Sequence, residues 1–127
     1  MKGGKLVKIN LTDVINHEDF IFALCTFIDE FKRNDNRHEM IELPPRADDV
    51  QVSRINLCVL AAAAHKLAND YKLSVPGWVH DPQYKMPYPV FAFDTQNKEY
   101  QEFLIKDSPQ EFSSKNIFHG ASAIERV

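Results

Sequence analysis

Five histidines, two cysteines and several loop carboxylates are the residues of this chain that could do acid–base, nucleophilic or metal chemistry. No histidines have HExxH or HxxxH spacing. His80 adjoins Asp81 and His38 adjoins Glu39, but neighbours on a strand point to opposite faces, so such pairs make poor metal sites. A metal site normally needs three or four placed ligands. We therefore interpret the histidines as solvated loop side chains and predict no metal and no cofactor.

Cys25 and Cys58 each lie inside an apolar run with helical spacing. A reactive thiolate needs an exposed, electropositive setting, and no CxxC pair is present. We interpret both thiols as buried and structural, which fits a reducing, cytoplasmic compartment. The sequence also has no GxSxG, P-loop or GxGxxG motif. It therefore predicts no catalytic residue and favours a non-enzymatic protein.

Two apolar patterns with helical spacing predict the main elements that would position any site. The first covers about residues 17–33, with Asn16 as the expected N-cap. The second starts at Asp48 or Asp49 and reaches Tyr71; it is apolar on several sides, which is typical of a central helix. The fold class predicted for residues 1–127 is therefore a single, mainly all-α domain built on two long packed helices.

Other segments are predicted to be less regular. Residues 1–15 are expected to form a short extended segment and residues 34–47 a loop, because Pro44 and Pro45 forbid a continuing helix. Residues 72–95 contain four prolines and five aromatic residues. Such a density excludes a long helix, and the aromatic residues argue against a solvated linker. We expect an ordered loop that wraps over the core, with single helical turns.

The last part of the chain has its own helix signals. Tyr100, Phe103 and Leu104 have helical spacing, with Asp94 or Thr95 as the expected cap. Further on, Ser108 and Glu111 have the spacing of a capping box around Pro109, and Ser122 and Glu125 repeat that spacing. The residues expected to hold this tail on the core are Phe112, Asn116 in a left-handed conformation, Ile117, Phe118 and Ile124.

The 72–95 segment also carries the candidate binding residues. We interpret Trp78 as a packing anchor, since Trp buries a large area. The rings of Tyr84 and Tyr88 could pack on the core while their hydroxyl groups stay exposed to solvent. Together with Met86, these two residues form the predicted partner-binding surface. The alternative is a small ligand-binding protein or enzyme that uses a cleft beside residues 76–91. His80, Asp81 and Tyr84 would be its polar groups.

Charge and hydropathy narrow the classes of partner. The net charge is -3 and the pI is near 5.9, without the basic footprint of nucleic-acid-binding domains. Direct nucleic-acid binding is therefore disfavoured, and a basic protein partner would be complementary. No apolar run reaches transmembrane length, so we expect no membrane contact and a cytoplasmic location.

Three stretches together resemble a family of small bacterial accessory proteins: FIDEF in the first helix, LSVPGWV after the alanine-rich helix, and SPQEFSSKNIF near the end. The positions that match the family pattern are Pro76, Trp78, Ser108, Pro109, Phe112, Lys115, Asn116, Ile117 and Phe118. Lys115 stands where the family usually has Arg, and it is a candidate partner-binding residue. The resemblance implies an antitoxin-like or regulatory member of a two-gene system, with a nucleotidyltransferase-like toxin as partner. The resemblance does not identify any catalytic residue in this chain.

Overall fold

Helices form most of the part of the chain that the computed structural model describes, residues 9–47 and 52–119, and the mainly all-α fold class is confirmed. The helices are α1 Leu11–Ile15, α2 Phe20–Arg33, α3 Arg37–Ile41, α4 Arg54–Asp70, α5 Lys98–Asp107 and α6 Gln110–Ser113. Single 3-10 turns lie at Gly77–His80, Pro82–Tyr84 and Ala92–Asp94. The two-residue strands β1 (Val90–Phe91) and β2 (Ile117–Phe118) pair in parallel.

Helix α1 corrects the prediction of an extended segment over residues 1–15, of which residues 1–8 lie outside the described chain. The Asn10 side chain accepts a hydrogen bond from the Asp13 amide at 2.7 Å, and the Asp13 carboxylate accepts one from the Asn10 amide at 3.1 Å. This capping box starts a helix too short for periodicity to reveal. Because α1 ends before Asn16, α2 starts later than predicted, and Asp19 caps it in place of Asn16.

Helix α4 is the central element, as its sequence predicts. Its buried residues include Leu60 and all four alanines at 61–64, and the helix contacts α1, α3, α6 and the first two 3-10 turns. The described part of α4 begins at Arg54 after Ser53. The expected caps Asp48 and Asp49 lie outside the described residues.

Two predicted irregular segments contain local structure. The 34–47 segment was predicted as a loop, but it holds α3, which buries Ile41 completely. The Trp78 indole Nε1 donates to the Ile41 carbonyl at 2.9 Å, so the 72–95 segment is tied to α3. That segment has single helical turns, as expected, and its only strand among the described residues is β1.

The predicted capping box of Ser108 and Glu111 is wrong. The Ser108 Oγ lies 2.5 Å from the Leu104 carbonyl and 2.7 Å from the His119 carbonyl, and the Glu111 carboxylate accepts from the Asn69 amide nitrogen at 2.7 Å. Helix α5 is capped by Asn97 and not by Asp94 or Thr95. The residues Ser122, Ile124 and Glu125, which were also predicted to organise the tail, lie outside the described chain.

Asn116 has a φ of 65°, so its predicted left-handed conformation is confirmed. The residue ends the turn after α6 and turns the chain into β2. Its side-chain nitrogen donates to the Met86 carbonyl at 2.7 Å, and its own carbonyl accepts from the Val90 amide at 2.8 Å. Together with the Phe91–Phe118 ring stack, these bonds join the tail to the 72–95 segment.

Candidate functional site

The predicted partner-binding surface does not exist as one exposed patch. Tyr84 is 4% exposed and Met86 is 8% exposed, whereas Tyr88 is 62% exposed. The Asp81 carboxylate caps the turn at Pro82–Tyr84, and the Tyr84 ring packs edge-on against Trp78. The Met86 amide donates to the Lys115 carbonyl at 3.0 Å. Of the three residues predicted to form this surface on the 72–95 segment, Tyr88 alone is exposed, because the turn directs Tyr84 and Met86 into the core.

Lys115 was the fourth predicted contact residue, and it is buried, with 6% of its surface exposed. Its Nζ donates to the Val79 carbonyl. Burial lowers the pKa of this ammonium group, because desolvation disfavours the charged form. Lys115 thus joins the turn at Gly77–His80 to the end of α6, and it is not a surface cation.

The polar groups named for the alternative cleft make separate structural contacts. Asp81 caps a turn, and the exposed His80 packs edge-on against His65 with ring centroids 5.3 Å apart. Cys58 is completely buried, and burial raises the pKa of its thiol. Within residues 9–47 and 52–119, no three His, Cys, Asp or Glu side chains are grouped so that they could hold a metal ion. These contacts do not pair a nucleophile with a base.

An apolar groove of about 800 Å³ lies along one face of α2 and one face of α4. Helix α2 contributes Phe20, Ile21, Leu24, Cys25, Ile28 and Lys32. Helix α4 contributes Ile55, Asn56, Val59, Ala63, Lys66, Leu67, Asp70 and Tyr71. Phe112 and His119 complete the lining. We call this feature the α2–α4 groove.

The lining of the α2–α4 groove repeats every three or four residues on both helices, which is the spacing of one helix face. Leu24 and Leu67 form part of its buried floor, Val59 is half-buried, and Ile21 at the rim is 63% exposed. The apolar spacing along α4 is visible in the sequence, where it indicates a central helix. Among residues 9–47 and 52–119, nothing covers the face of α4 that lines the groove.

Charged residues stand at the ends of the two helices that line the groove. The Lys66 Nζ lies 2.8 Å from the Asp70 carboxylate, so the charges of these two residues compensate each other. Lys32, in the last turn of α2, is exposed and makes no salt bridge within the described chain. Burial lowers the pKa of His119 and favours its neutral form. No described carboxylate forms a salt bridge with Lys32 or with Arg37, whose guanidinium lies 4.7 Å from the centroid of the groove-lining Tyr71 ring. This end of the groove is therefore positively charged.

Acidification is expected to destabilise the fold through His65 and His119. Burial is the main cause of the lowered pKa of each, although Glu111 opposes it at His65. The unfolded chain then binds protons more readily, starting near pH 6.5. The contribution to stability is complete above that pH and is lost as the pH falls through the two lowered pKa values. Urea unfolding between about pH 7 and pH 5 should show this loss, and His119→Gln should reduce it. A free energy of unfolding that stays constant over this range would contradict the expectation.

No family model, no curated protein and no solved structure matches the chain. Within the described residues, the helices are all too short or too polar to cross a membrane.

Proposed function

We propose that this protein is a non-enzymatic protein-interaction module that binds its partner in the α2–α4 groove. The observation that carries the proposal is the pair of apolar helix faces that no described part of the chain covers. Contiguous apolar surface with a polar rim is a recurrent mark of interaction sites. Binding would remove that surface from water, and the burial of apolar surface is the main favourable contribution to most protein–protein association.

The family resemblance supports a more specific role. An antitoxin-like or regulatory protein acts by covering the surface of its partner, and it needs a docking site but no catalytic group. A nucleotidyltransferase-like toxin encoded beside this chain is the partner that we propose. The α2–α4 groove would hold a segment of that toxin.

The test uses two neighbouring residues of α2 with similar exposure. Ile21 lines the groove and is 63% exposed, whereas Phe22 is 61% exposed and does not line it. Both lie in the first turn, where the helix dipole favours an acidic residue, so Ile21→Asp and Phe22→Asp should both fold. A photo-crosslinking amino acid placed at Ile21 in the native host identifies the partner, which is then purified.

Ile21→Asp should weaken binding of the purified partner at least tenfold, or about 1.4 kcal/mol, as measured by calorimetry. Phe22→Asp should leave the affinity within about twofold, since Phe22 does not line the groove and the new carboxylate would stay in water. Equal effects of the two substitutions, or crosslinks at Phe22 but not at Ile21, would show that the groove is not the binding site.

A further inference from the structure

We infer that the occupant of the α2–α4 groove is one amphipathic α-helix of the partner, with an acidic side chain at the Lys32 end. The inference rests on the proposed function and adds the conformation, polarity and orientation of the bound segment. It follows from the backbone chemistry of the groove, the spacing of its lining and its charge.

The backbone chemistry of the lining favours a helix over an extended segment. Along its two long sides the groove is lined by side chains of α2 and α4. The amides and carbonyls within these helices bond to each other, so they offer no free sheet edge to an incoming strand. An extended peptide would bury some of its own backbone groups without hydrogen-bond partners, which is unfavourable because those groups lose their bonds to water. A helix satisfies those groups internally and presents only side chains.

The length and spacing of the groove also fit a helix. Its α4 side runs from Ile55 to Tyr71, or about 24 Å at 1.5 Å per residue. A helix of about 16 residues has this length. Val59, Ala63 and Leu67 form a row at i, i+4 and i+8, and such rows accept the ridges of a packed helix. The small side chain of Ala63 in the middle of the row allows close approach.

The charge at one end sets the orientation of the incoming helix. Lys66 is already paired with Asp70, whereas Lys32 makes no salt bridge within residues 9–47 and 52–119. An Asp or Glu of the partner helix would pair with Lys32 beside an apolar surface that excludes water. This pair fixes which end of the partner helix lies at the end of α2.

The experiment selects peptides of about 16 residues, the length of the groove, from a randomised phage library on the full chain. Counter-selection on Ile21→Asp removes binders that ignore the groove. Enriched peptides should have apolar residues at i, i+3 or i+4, and i+7, with an acidic residue near one end. They should become helical on binding, as seen by circular dichroism. A central proline should weaken their binding more than tenfold, since proline disrupts the interior of a helix.

A charge exchange then tests the orientation. Lys32→Glu should weaken the binding of acidic peptides about fivefold, and a Glu→Lys change in the peptide should restore its affinity for this variant. Lys106→Glu is the matched control, because Lys106 is exposed in the last turn of α5 and does not line the groove. It should leave the affinity unchanged.

Several outcomes would overturn the inference. The first two are that no peptides are enriched, and that the enriched peptides bind without becoming helical. The third is that the chain associates with itself and that Ile21→Asp abolishes this association. The fourth is that peptides bind a chain that ends at His119 but not the full chain. In the last two cases the groove belongs to a second copy or to the chain itself. A crosslinked partner that binds the groove through a non-helical segment would overturn this inference and leave the proposed function intact.

Discussion

Replacing Tyr84 by alanine is expected to lower the free energy of unfolding by about 3 kcal/mol, the lower end of the range for a buried aromatic ring. The ring is 4% exposed and packs edge-on against Trp78 at a centroid distance of 5.4 Å. Its removal leaves a cavity beside the indole, which is held in place by the bond from its Nε1 to the Ile41 carbonyl. Urea unfolding followed by tryptophan fluorescence measures the effect, since the chain has one Trp.

Tyr88→Ala is the matched control for Tyr84→Ala. Tyr88 lies four residues further along the same segment and is 62% exposed. Surface substitutions usually change stability by less than about 0.5 kcal/mol. Similar effects of the two substitutions, or a larger effect at Tyr88, would contradict the inward orientation of Tyr84.

The two long helices could be predicted from the sequence because their apolar spacing is sustained over several turns. The pattern through Phe20, Phe27 and Phe31 reappears as the buried face of α2, and α4 is central as its composition indicates. The ends of the helices were harder to predict. Asn16 and Asp19 are both good N-caps, and the choice between them follows from α1, whose five residues are too few for a periodic signal.

Side-chain direction in the 72–95 segment could not be predicted in the same way. Short 3-10 turns and bends have no sustained period, so an aromatic residue in them gives no sign of which way it faces. Tyr84 and Tyr88 are the same residue type in a similar local sequence, yet one is buried and the other exposed. The Asp81 cap and the bond between Met86 and Lys115 decide the difference, and the second of these is a long-range contact.

The α2–α4 groove shows a different limit of sequence reasoning. An apolar face is visible as the spacing of Ile55, Val59, Ala63 and Leu67, but the pattern does not say what covers it. Helices α1, α3 and α6 and the first two 3-10 turns pack on other faces of α4, and this face remains open within the described chain. The hydrophobic spacing of a helix thus does not distinguish a face packed in the core from one that lines an open groove.

Lys115→Glu is expected to have the other large effect, a loss of about 4 kcal/mol in the free energy of unfolding. Lys115 is 6% exposed, and its Nζ donates to the Val79 carbonyl. A carboxylate there would face that carbonyl with no donor between them, and an uncompensated buried charge costs about 3–5 kcal/mol. Most small domains are only about 5–15 kcal/mol stable, so the variant should melt at a much lower temperature.

Lys115→Met separates the packing of the Lys115 side chain from the hydrogen bond of its ammonium group. Methionine keeps an apolar stem of similar length and removes only the ammonium group. The Val79 carbonyl would lose its donor, which costs about 1–3 kcal/mol, and the cost of desolvating the ammonium would disappear as well. The loss should therefore be smaller than for Lys115→Glu. Lys85→Glu is the control, since Lys85 is exposed. If Lys115→Glu were as stable as Lys85→Glu, Lys115 would have to face solvent and would again be a candidate for partner binding.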